Sequence, residues 1–255
     1  MKLNPHDHLK GLSPKEKAEL NLGLFADFAY ANGYSSPQIL QTRLGLQSTG
    51  WLRRAEARGD IAMLKTGSGS PPRICLLTPK TLALAEQRAE RVWPYPEIDF
   101  ACVNQSLIRH NLYFQDVSLR AESTGLVAAT LTERQLAGGD RRGVKRPDGA
   151  WSMKSGQIVA IEIELTAKWG RHFDEFVSSI VAALDDLEGP PAFDRFAIVS
   201  DSKALLERYI AAFVAGEPMN TWRKNERGMW IIDKRGHVPK WMSERVSFRF
   251  ARASF

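Results

Sequence analysis

The stretch Gln157-Ile-Val-Ala-Ile-Glu-Ile-Glu-Leu-Thr-Ala-Lys168 is the strongest predicted strand of this chain, and the second half is arranged around it. Side chains of a strand alternate between its two faces, so Glu162 and Glu164 share one face. Ile161 and Ile163 lie on the opposite face. The two carboxylates then stand about 6 to 7 Å apart. Two acids in so apolar a strand are costly unless positive charge compensates them.

Two kinds of compensation for these acids are open. If Pro147-Asp148-Gly149 leads into a neighbouring strand, Asp148 and Glu162 share one hard cation, for which carboxylate oxygens suit Mg²⁺ or Mn²⁺. Alternatively, the acids lie on a solvated strand face and pair with Lys or Arg. Lys145 lies three residues before Asp148, close enough to swing into the site. Lys168 shares their face, but six residues of strand place it about 20 Å from Glu162.

The elements around this strand follow the order α-β-β-β-α-β-α. Apolar runs and their spacing predict helices at 100–116, 173–187 and 203–214, and strands at 126–131, 151–153, 157–168 and 196–199. This order is the plan of a mixed sheet covered by helices. The predicted fold class is therefore α/β, of the α+β kind with a mixed sheet.

The first 92 residues follow a different plan. Helix starts are predicted at three serines, Ser13, Ser36 and Ser48. A hairpin at 61–64 and 73–77 follows, and Thr78 caps a last helix. Helix, helix, turn, helix, hairpin, helix is the order of a winged helix-turn-helix. Because the Pro-rich segment 92–96 breaks the chain, we predict domains at 1–92 and 97–255.

Positive charge is concentrated between residues 36 and 80, where seven basic residues face two acids, although the whole chain carries only +6. Such a local excess favours a polyanion, most often nucleic acid. In a winged helix, the third helix enters the major groove of double-stranded DNA. The predicted DNA contacts are Ser48, Thr49, Arg53 and Arg54 at base edges, and Lys65 and Arg73 at phosphates. The alternative is a winged helix used for protein contacts, with its arginines solvated.

The composition excludes several classes of protein. An apolar fraction of 44% and a charged fraction of 25% are ordinary for a soluble globular chain. No run approaches the roughly 18 to 20 apolar residues of a membrane span, and the first residues lack a secretory signal. Cys75 and Cys102 stand in unrelated contexts, which excludes a disulfide scaffold and a thiolate zinc site. We expect a protein of the reducing cytoplasm that has no membrane partner.

Pro147-Asp148 followed by Glu162-Ile163-Glu164 resembles the signature of the PD-(D/E)xK nuclease superfamily. That signature is Pro-Asp on the second strand, then a carboxylate, a spacer and Lys on the third. The resemblance implies a restriction-endonuclease-like domain with a divalent cation on Asp148 and Glu162. It makes Asp148, Glu162 and Glu164 the catalytic residues. Glu164 stands where the signature usually has Lys, so the group that takes that role stays open.

Further motifs extend the resemblance over most of the chain. They are His-Asn-Leu-Tyr-Phe-Gln-Asp-Val at 110–117, Thr-Glu-Arg-Gln-Leu at 132–136 and Arg-Pro-Asp-Gly at 146–149. With the winged helix, they resemble the replication-relaxation family, and within it the MobC-type plasmid mobilization relaxases. The likeness implies metal-dependent nicking at a transfer origin, other mobilization proteins as partners, and Glu133 as a further catalytic position. On such a substrate we expect Lys168 to contact a phosphate.

Two other functions stay open. The chain could be a non-catalytic DNA-binding accessory protein or regulator whose nuclease-like domain is degenerate, and Glu164 in place of Lys favours that interpretation. It could also be a repair or defence nuclease of the same fold. Three convergent acids favour an enzyme over a scaffold.

Overall fold

The computed structural model describes residues 9–67, 69–90, 92, 99–137, 144–185 and 190–255. The chain divides into two compact units: unit 1 is Met1–Leu126 with Ala253–Phe255, and unit 2 is Val127–Arg252. The boundary predicted at 92–96 lies, except for Val92, outside the described residues. Helices and sheets occur in both units, so the predicted α/β class is confirmed.

Unit 1 combines five α-helices with a small three-stranded sheet in the described part of the chain. Its elements are α1 (Pro14–Asn32), β1 (Tyr34–Ser35), α2 (Pro37–Arg43), α3 (Gly50–Ala57), β2 (Ile61–Lys65), β3 (Arg73–Leu77), α4 (Pro79–Arg88) and α5 (Ile108–Ser123). The strand order of the sheet is β1-β3-β2, with antiparallel neighbours. The order of elements from α1 to α4 follows the order predicted from the sequence, except that the short strand β1 between α1 and α2 was not predicted.

The helix starts show why the chain folds this way locally. Ser13 forms a capping box with Glu16, and Ser36 accepts a hydrogen bond from the Ile39 N–H. The start of α3 differs from the prediction, because Thr49 occupies the N-cap and makes no side-chain cap bond. Ser48 accepts a 3.4 Å hydrogen bond from the Gly50 N–H instead.

Helix α5 belongs to the core of unit 1. Its residues Ile108 and Leu112 are buried in one cluster with Ile74 and Leu76 of β3. The sequence predicted one helix at 100–116 in the second domain, but two 3-10 turns occupy Phe100–Cys102 and Gln105–Leu107. The turns form because Asp99 and Asn104 accept hydrogen bonds from backbone N–H groups two residues ahead, which competes with α-helix.

Unit 2 is built on a five-stranded sheet. Its elements are β4 (Val127–Thr132), α6 (Glu133–Leu136), β5 (Gly149–Met153), β6 (Ile158–Ile163), α7 (Arg171–Leu184), β7 (Arg195–Ser200), α8 (Lys203–Ala212), β8 (Pro218–Lys224), β9 (Trp230–His237), α9 (Met242–Arg245) and β10 (Val246–Phe250). The order is β10-β7-β6-β5-β4. Strand β6 is antiparallel to β5 and parallel to β7, so the sheet is mixed.

Helices α7 and α8 cover one face of this sheet. Ala160 of β6 lies in one buried cluster with Ile180 of α7 and Leu206 of α8. Alternation along the strand places Glu162 on the same face as Ala160. That face is therefore covered by helices rather than solvated.

Beyond α8 the structure contains elements that were not predicted from the sequence. Strands β8 and β9 form an antiparallel hairpin of their own. The hairpin contacts α7, where Asn220 and Trp222 both donate hydrogen bonds to Asp174. Strand β10 adds to the sheet beside β7, in parallel. In the part of the chain that is described, no helix has the length and apolarity that a membrane crossing requires.

Candidate functional site

The start of β5 and the end of β6 bring Asp148 and Glu162 together. Gly149 pairs with Ile161, so the residues next to them, Asp148 and Glu162, are neighbours across the two strands. The Asp148 N–H donates to the Ile161 carbonyl at 3.0 Å. Its carboxylate Oδ2 accepts a 2.7 Å hydrogen bond from the Ile163 N–H. The backbone of β6 thus holds the Asp148 side chain in place.

Glu162 is a buried acid with one satisfied oxygen and one unsatisfied oxygen. The residue is 3% exposed, and its Oε1 lies 2.7 Å from the Lys145 Nζ. Among the described residues, no hydrogen-bond donor contacts its Oε2. Burial, reinforced by the negative charge of Asp148, raises the pKa of Glu162 well above its ordinary value, although Lys145 opposes the shift.

Lys145 is held in the site from its backbone and from its ammonium group. Its N–H donates to the Ser179 carbonyl of α7 at 3.1 Å. Burial by itself would lower the pKa of Lys145, but the charges of Glu162, Asp148 and Glu164 outweigh it and leave that pKa raised. Lys145 is therefore a firmly charged cation among three acids.

Glu164 is bound by two groups that come from later in the chain. It is 2% exposed, and its Oε2 accepts a 2.8 Å hydrogen bond from the Tyr209 hydroxyl of α8. Lys168 forms an ion pair with its other oxygen and lies 4.5 Å from the centroid of the Phe176 ring. Burial, followed by the charge of Glu164, raises the pKa of Tyr209.

The structure corrects the prediction for Lys168. The sequence extended the strand to Lys168 and so put it about 20 Å from Glu162. Strand β6 ends at Ile163, and Lys168 reaches back to the Glu164 carboxylate four residues earlier. A phosphate contact by Lys168 stays a prediction. No sequence signal pointed to Tyr209, because it lies 45 residues beyond Glu164.

The alternative of a solvated strand face is wrong, since both glutamates are buried. The ion pairs that belong to this alternative are present, because Lys145 pairs with Glu162 and Lys168 pairs with Glu164. Glu133 begins α6 directly after Thr132, which pairs with Gly149 at the same edge of the sheet. Its carboxylate is mostly exposed and lies 3.7 Å from the Arg146 Nε.

The donor set fits a divalent cation of the magnesium type. Asp148 and Glu162 are neighbouring carboxylates, and Glu162 Oε2 is a buried oxygen without a protein donor among the described residues. Mg²⁺ is commonly held by one or two carboxylates together with waters and substrate phosphates. Across the described ranges, no group of three or more His, Cys, Asp or Glu is placed to hold a metal ion. The carboxylates that would serve the ion are therefore the pair of Asp148 and Glu162.

The residues predicted to read DNA lie on exposed parts of unit 1. Arg53 and Arg54 are exposed on α3, with the exposed Ser48 and the half-buried Thr49 before the helix. Lys65 and Arg73 are exposed as well, and they are direct partners in the register of β2 and β3.

The seven basic residues between positions 36 and 80 fall into two groups. Three form ion pairs: Arg58 and Lys80 with the buried Asp60, and Arg43 with Glu122. The other four have no acidic partner among the described residues: Arg53, Arg54, Lys65 and Arg73. These four cations are the basic residues of unit 1 that the sequence predicts as DNA contacts.

Comparison of the chain with protein-family models, with curated proteins and with solved structures finds no match.

Proposed function

We propose that this chain is a metal-dependent DNA endonuclease that nicks DNA, in the manner of a MobC-type plasmid mobilization relaxase. In this proposal, unit 1 is a winged helix that binds double-stranded DNA, and unit 2 is a restriction-endonuclease-like domain. The observation that carries the proposal is the buried Oε2 of Glu162, which lacks a donor among the described residues and lies beside Asp148. A buried carboxylate oxygen without a hydrogen-bond donor costs free energy, and a bound cation would compensate that cost.

Asp148 and Glu162 are the residues that would hold Mg²⁺ or Mn²⁺. When bound, such an ion supplies charge that polarises a phosphoryl oxygen and makes water more acidic. In the hydrolysis, the water oxygen bonds to phosphorus, the phosphorus–oxygen bond to one deoxyribose breaks, and a proton goes to the departing oxygen. One side of the nick is left with a phosphate end and the other with a hydroxyl end.

Lys145 and Lys168 take the role of the lysine that the nuclease signature usually has at the position of Glu164. Lys145 is charged and lies among the acids, so it can contact a phosphate oxygen that enters the site. Glu164, fixed by the Tyr209 hydroxyl, positions the ammonium of Lys168. Glu164 is therefore a positioning residue in this scheme. The amine comes from Lys168, which lies beyond the end of β6, and not from the strand position where the signature has its lysine.

The assignment of DNA binding to unit 1 is supported by its order of elements and by its uncompensated cations. A helix at the position of α3, followed by a two-stranded wing, is the arrangement in which a winged helix reads the major groove. Arg53, Arg54, Lys65 and Arg73 lie on that helix and wing. A winged helix used for protein contacts has no need of four cations without acidic partners in the described part of the chain.

The direct test is incubation of the full chain with supercoiled plasmid that carries its own transfer region, in Mg²⁺ or Mn²⁺. We expect open circles, and an unrelated plasmid of equal size should be cut less. Mn²⁺ should also raise the melting temperature, because a ligand stabilises the fold that binds it. Absence of both open circles and a melting shift would contradict the proposal.

One observation favours a second candidate function. Both glutamates already have lysine partners, Glu162 with Lys145 and Glu164 with Lys168. A non-catalytic DNA-binding accessory protein or regulator could keep such ion pairs as structure alone. In that case Asp148→Ala should raise thermal stability, because it removes a negative charge beside Glu162, and Mn²⁺ should not shift the melting temperature of the wild type.

A further inference from the structure

Unit 2 exposes two tryptophans, and cations stack on each of them. Trp169 is 69% exposed, and the Arg208 guanidinium carbon lies 3.5 Å from its ring centroid. Trp230 is 43% exposed, with the Arg171 guanidinium carbon at 4.1 Å and the Lys224 Nζ at 5.4 Å from its centroid. We call these five residues the indole surface. Their indoles are held by cations on the outside of the fold and not by the core.

Residues of the indole surface are neighbours in sequence of residues of the candidate site. Arg171, which stacks on Trp230, is the first residue of α7, and Trp169 lies two residues before it, so both stacks involve the start of this helix. Trp169 directly follows Lys168, the ion-pair partner of Glu164. Arg208 directly precedes Tyr209, which donates to the same carboxylate. The two sides of the Trp169–Arg208 stack are thus each one residue away from groups that contact Glu164.

The hairpin that carries Trp230 is positively charged. Residues 218–237 contain five basic residues and two acids, a net +3. Asp233 pairs with Arg223, which leaves four cations without an acidic partner among the described residues: Lys224, Arg227, Lys234 and Arg235. Exposed aromatics beside lysines and arginines are typical of surfaces that bind single strands.

From this geometry we infer that the indole surface binds unpaired nucleotides of single-stranded DNA. The bases stack on Trp169 and Trp230, and the cations of the hairpin lie along the phosphates. Bases within a duplex are already stacked on each other, so only an unpaired strand can use both indoles. The inference rests on the proposed action of unit 2 on DNA, and it names the strand conformation that unit 2 accepts beside its acids.

The test measures binding of fluorescein-labelled oligo(dT) to the full chain by fluorescence anisotropy. Trp169→Ala and Trp230→Ala should each weaken binding by about 5- to 100-fold, since a base–aromatic stack contributes on that scale. Phe substitutions, Trp169→Phe and Trp230→Phe, should recover part of the loss. An abasic strand of equal length should bind the wild type more weakly than oligo(dT) and should not respond to the substitutions.

Met229→Ala is the matched control, because Met229 is also exposed and apolar and directly precedes Trp230 but has no ring. It should leave the affinity for oligo(dT) within about 2-fold of the wild type, below the effect of removing a stack. Wild-type affinity in both alanine variants, or equal binding of abasic strand and oligo(dT), would overturn the inference. A change of oligomeric state with oligo(dT) binding intact would instead assign the surface to a second copy of the chain.

The failure of this inference can be told apart from the failure of the proposed function. If the wild type neither nicks plasmid nor responds to Mn²⁺, yet loses oligo(dT) binding in the alanine variants, the indole surface stands and the nuclease proposal falls. If the wild type nicks plasmid in the presence of metal but the alanine variants bind oligo(dT) as tightly as the wild type, the nuclease proposal stands and the indole surface falls.

Discussion

Each unit buries an acid that pairs with lysine, and the two acids differ in what surrounds them. Asp60 of unit 1 is 2% exposed and has a cation on each oxygen, with Arg58 at 2.8 Å and Lys80 at 2.6 Å. Glu162 of unit 2 is equally buried but has one lysine on one oxygen. Burial by itself would raise the pKa of both acids. Lys80 and Arg58 outweigh burial at Asp60 and leave its pKa lowered, whereas the pKa of Glu162 is well above its ordinary value.

The difference separates an acid whose charged form the fold favours from one whose charged form the fold disfavours. Arg58 and Lys80 are exposed side chains that can adjust their positions to Asp60. Burial raises the pKa of Asp60, and the two cations lower it by more. Glu162 has Asp148 and Glu164 as neighbours, and both make its charge less favourable. An arrangement that costs stability is retained where it serves binding or chemistry, and perturbed acids of this kind cluster at such sites.

The largest effect that would sharpen this contrast is on nicking. Asp148→Ala and Glu162→Ala should each lower metal-dependent nicking by more than about 100-fold, because even partners outside the direct ligands of a metal contribute about 10- to 100-fold. Both should also reduce the melting shift caused by Mn²⁺. Gel analysis of supercoiled plasmid over time measures the first effect, and duplex binding should survive because it depends on unit 1.

Asp194→Ala is the matched control for that experiment. Asp194 accepts a 2.7 Å hydrogen bond from the Ile158 N–H at the opposite end of β6, as Asp148 does from the Ile163 N–H. The control therefore loses the same type of bond to the same strand without touching the acids around Glu162. Equal loss of nicking in Asp194→Ala would mean that the effect comes from a disturbed strand, and the contrast with Asp60 would lose its functional meaning.

The sequence predicted much of the fold, because alternation and helix caps are local signals. The cap at Ser13 and the apolar alternation of β6 both depend on residues a few positions apart. The end of β6 could not be predicted, since Thr166 and Lys168 continue the alternation after the strand has stopped. Nor could the Tyr209 bond to Glu164, which depends on the packing of α8 against the sheet.

The candidate site was predicted only in part for the same reason. Asp148 and Glu162 were brought together by a strand pairing that the two motifs indicated. Their lysines were misplaced or left open, because the position of a long side chain depends on tertiary contacts. The exposed Trp230 lies in a hairpin whose strands have too little apolar alternation to be recognised.

The second prediction concerns basic residues between positions 36 and 80. Arg58 and Lys80 are bound to Asp60, whereas Arg53, Arg54, Lys65 and Arg73 have no acidic partner in the described part of the chain. Reversal of Arg53 and Arg54 to Glu should weaken duplex binding by about 100-fold at low salt and should reduce the salt slope by about 0.9 for each phosphate that is no longer neutralised. Anisotropy titrations at several salt concentrations measure both. Lys15→Glu with Lys17→Glu on α1 changes the net charge equally and should have a much smaller effect. An unaltered isotherm for the Arg53 and Arg54 variant would show that α3 does not face DNA.

The last and smallest expected effect concerns Asp60 and its contribution to the free energy of unfolding. Asp60→Asn should lower the free energy of unfolding by about 1 to 3 kcal/mol at neutral pH, as expected for charge-assisted hydrogen bonds. Glu162→Gln should cost less, because it also removes a buried charge that its neighbours disfavour. Since the pKa of Asp60 is lower in the folded state than its ordinary 3.8, its contribution is complete above that value and is lost as the pH falls below it. Scanning calorimetry at pH about 7 and about 3 should therefore show the difference between wild type and Asp60→Asn shrinking at the lower pH. A difference that persists in acid would mean that the aspartate acts through packing and not through its charge.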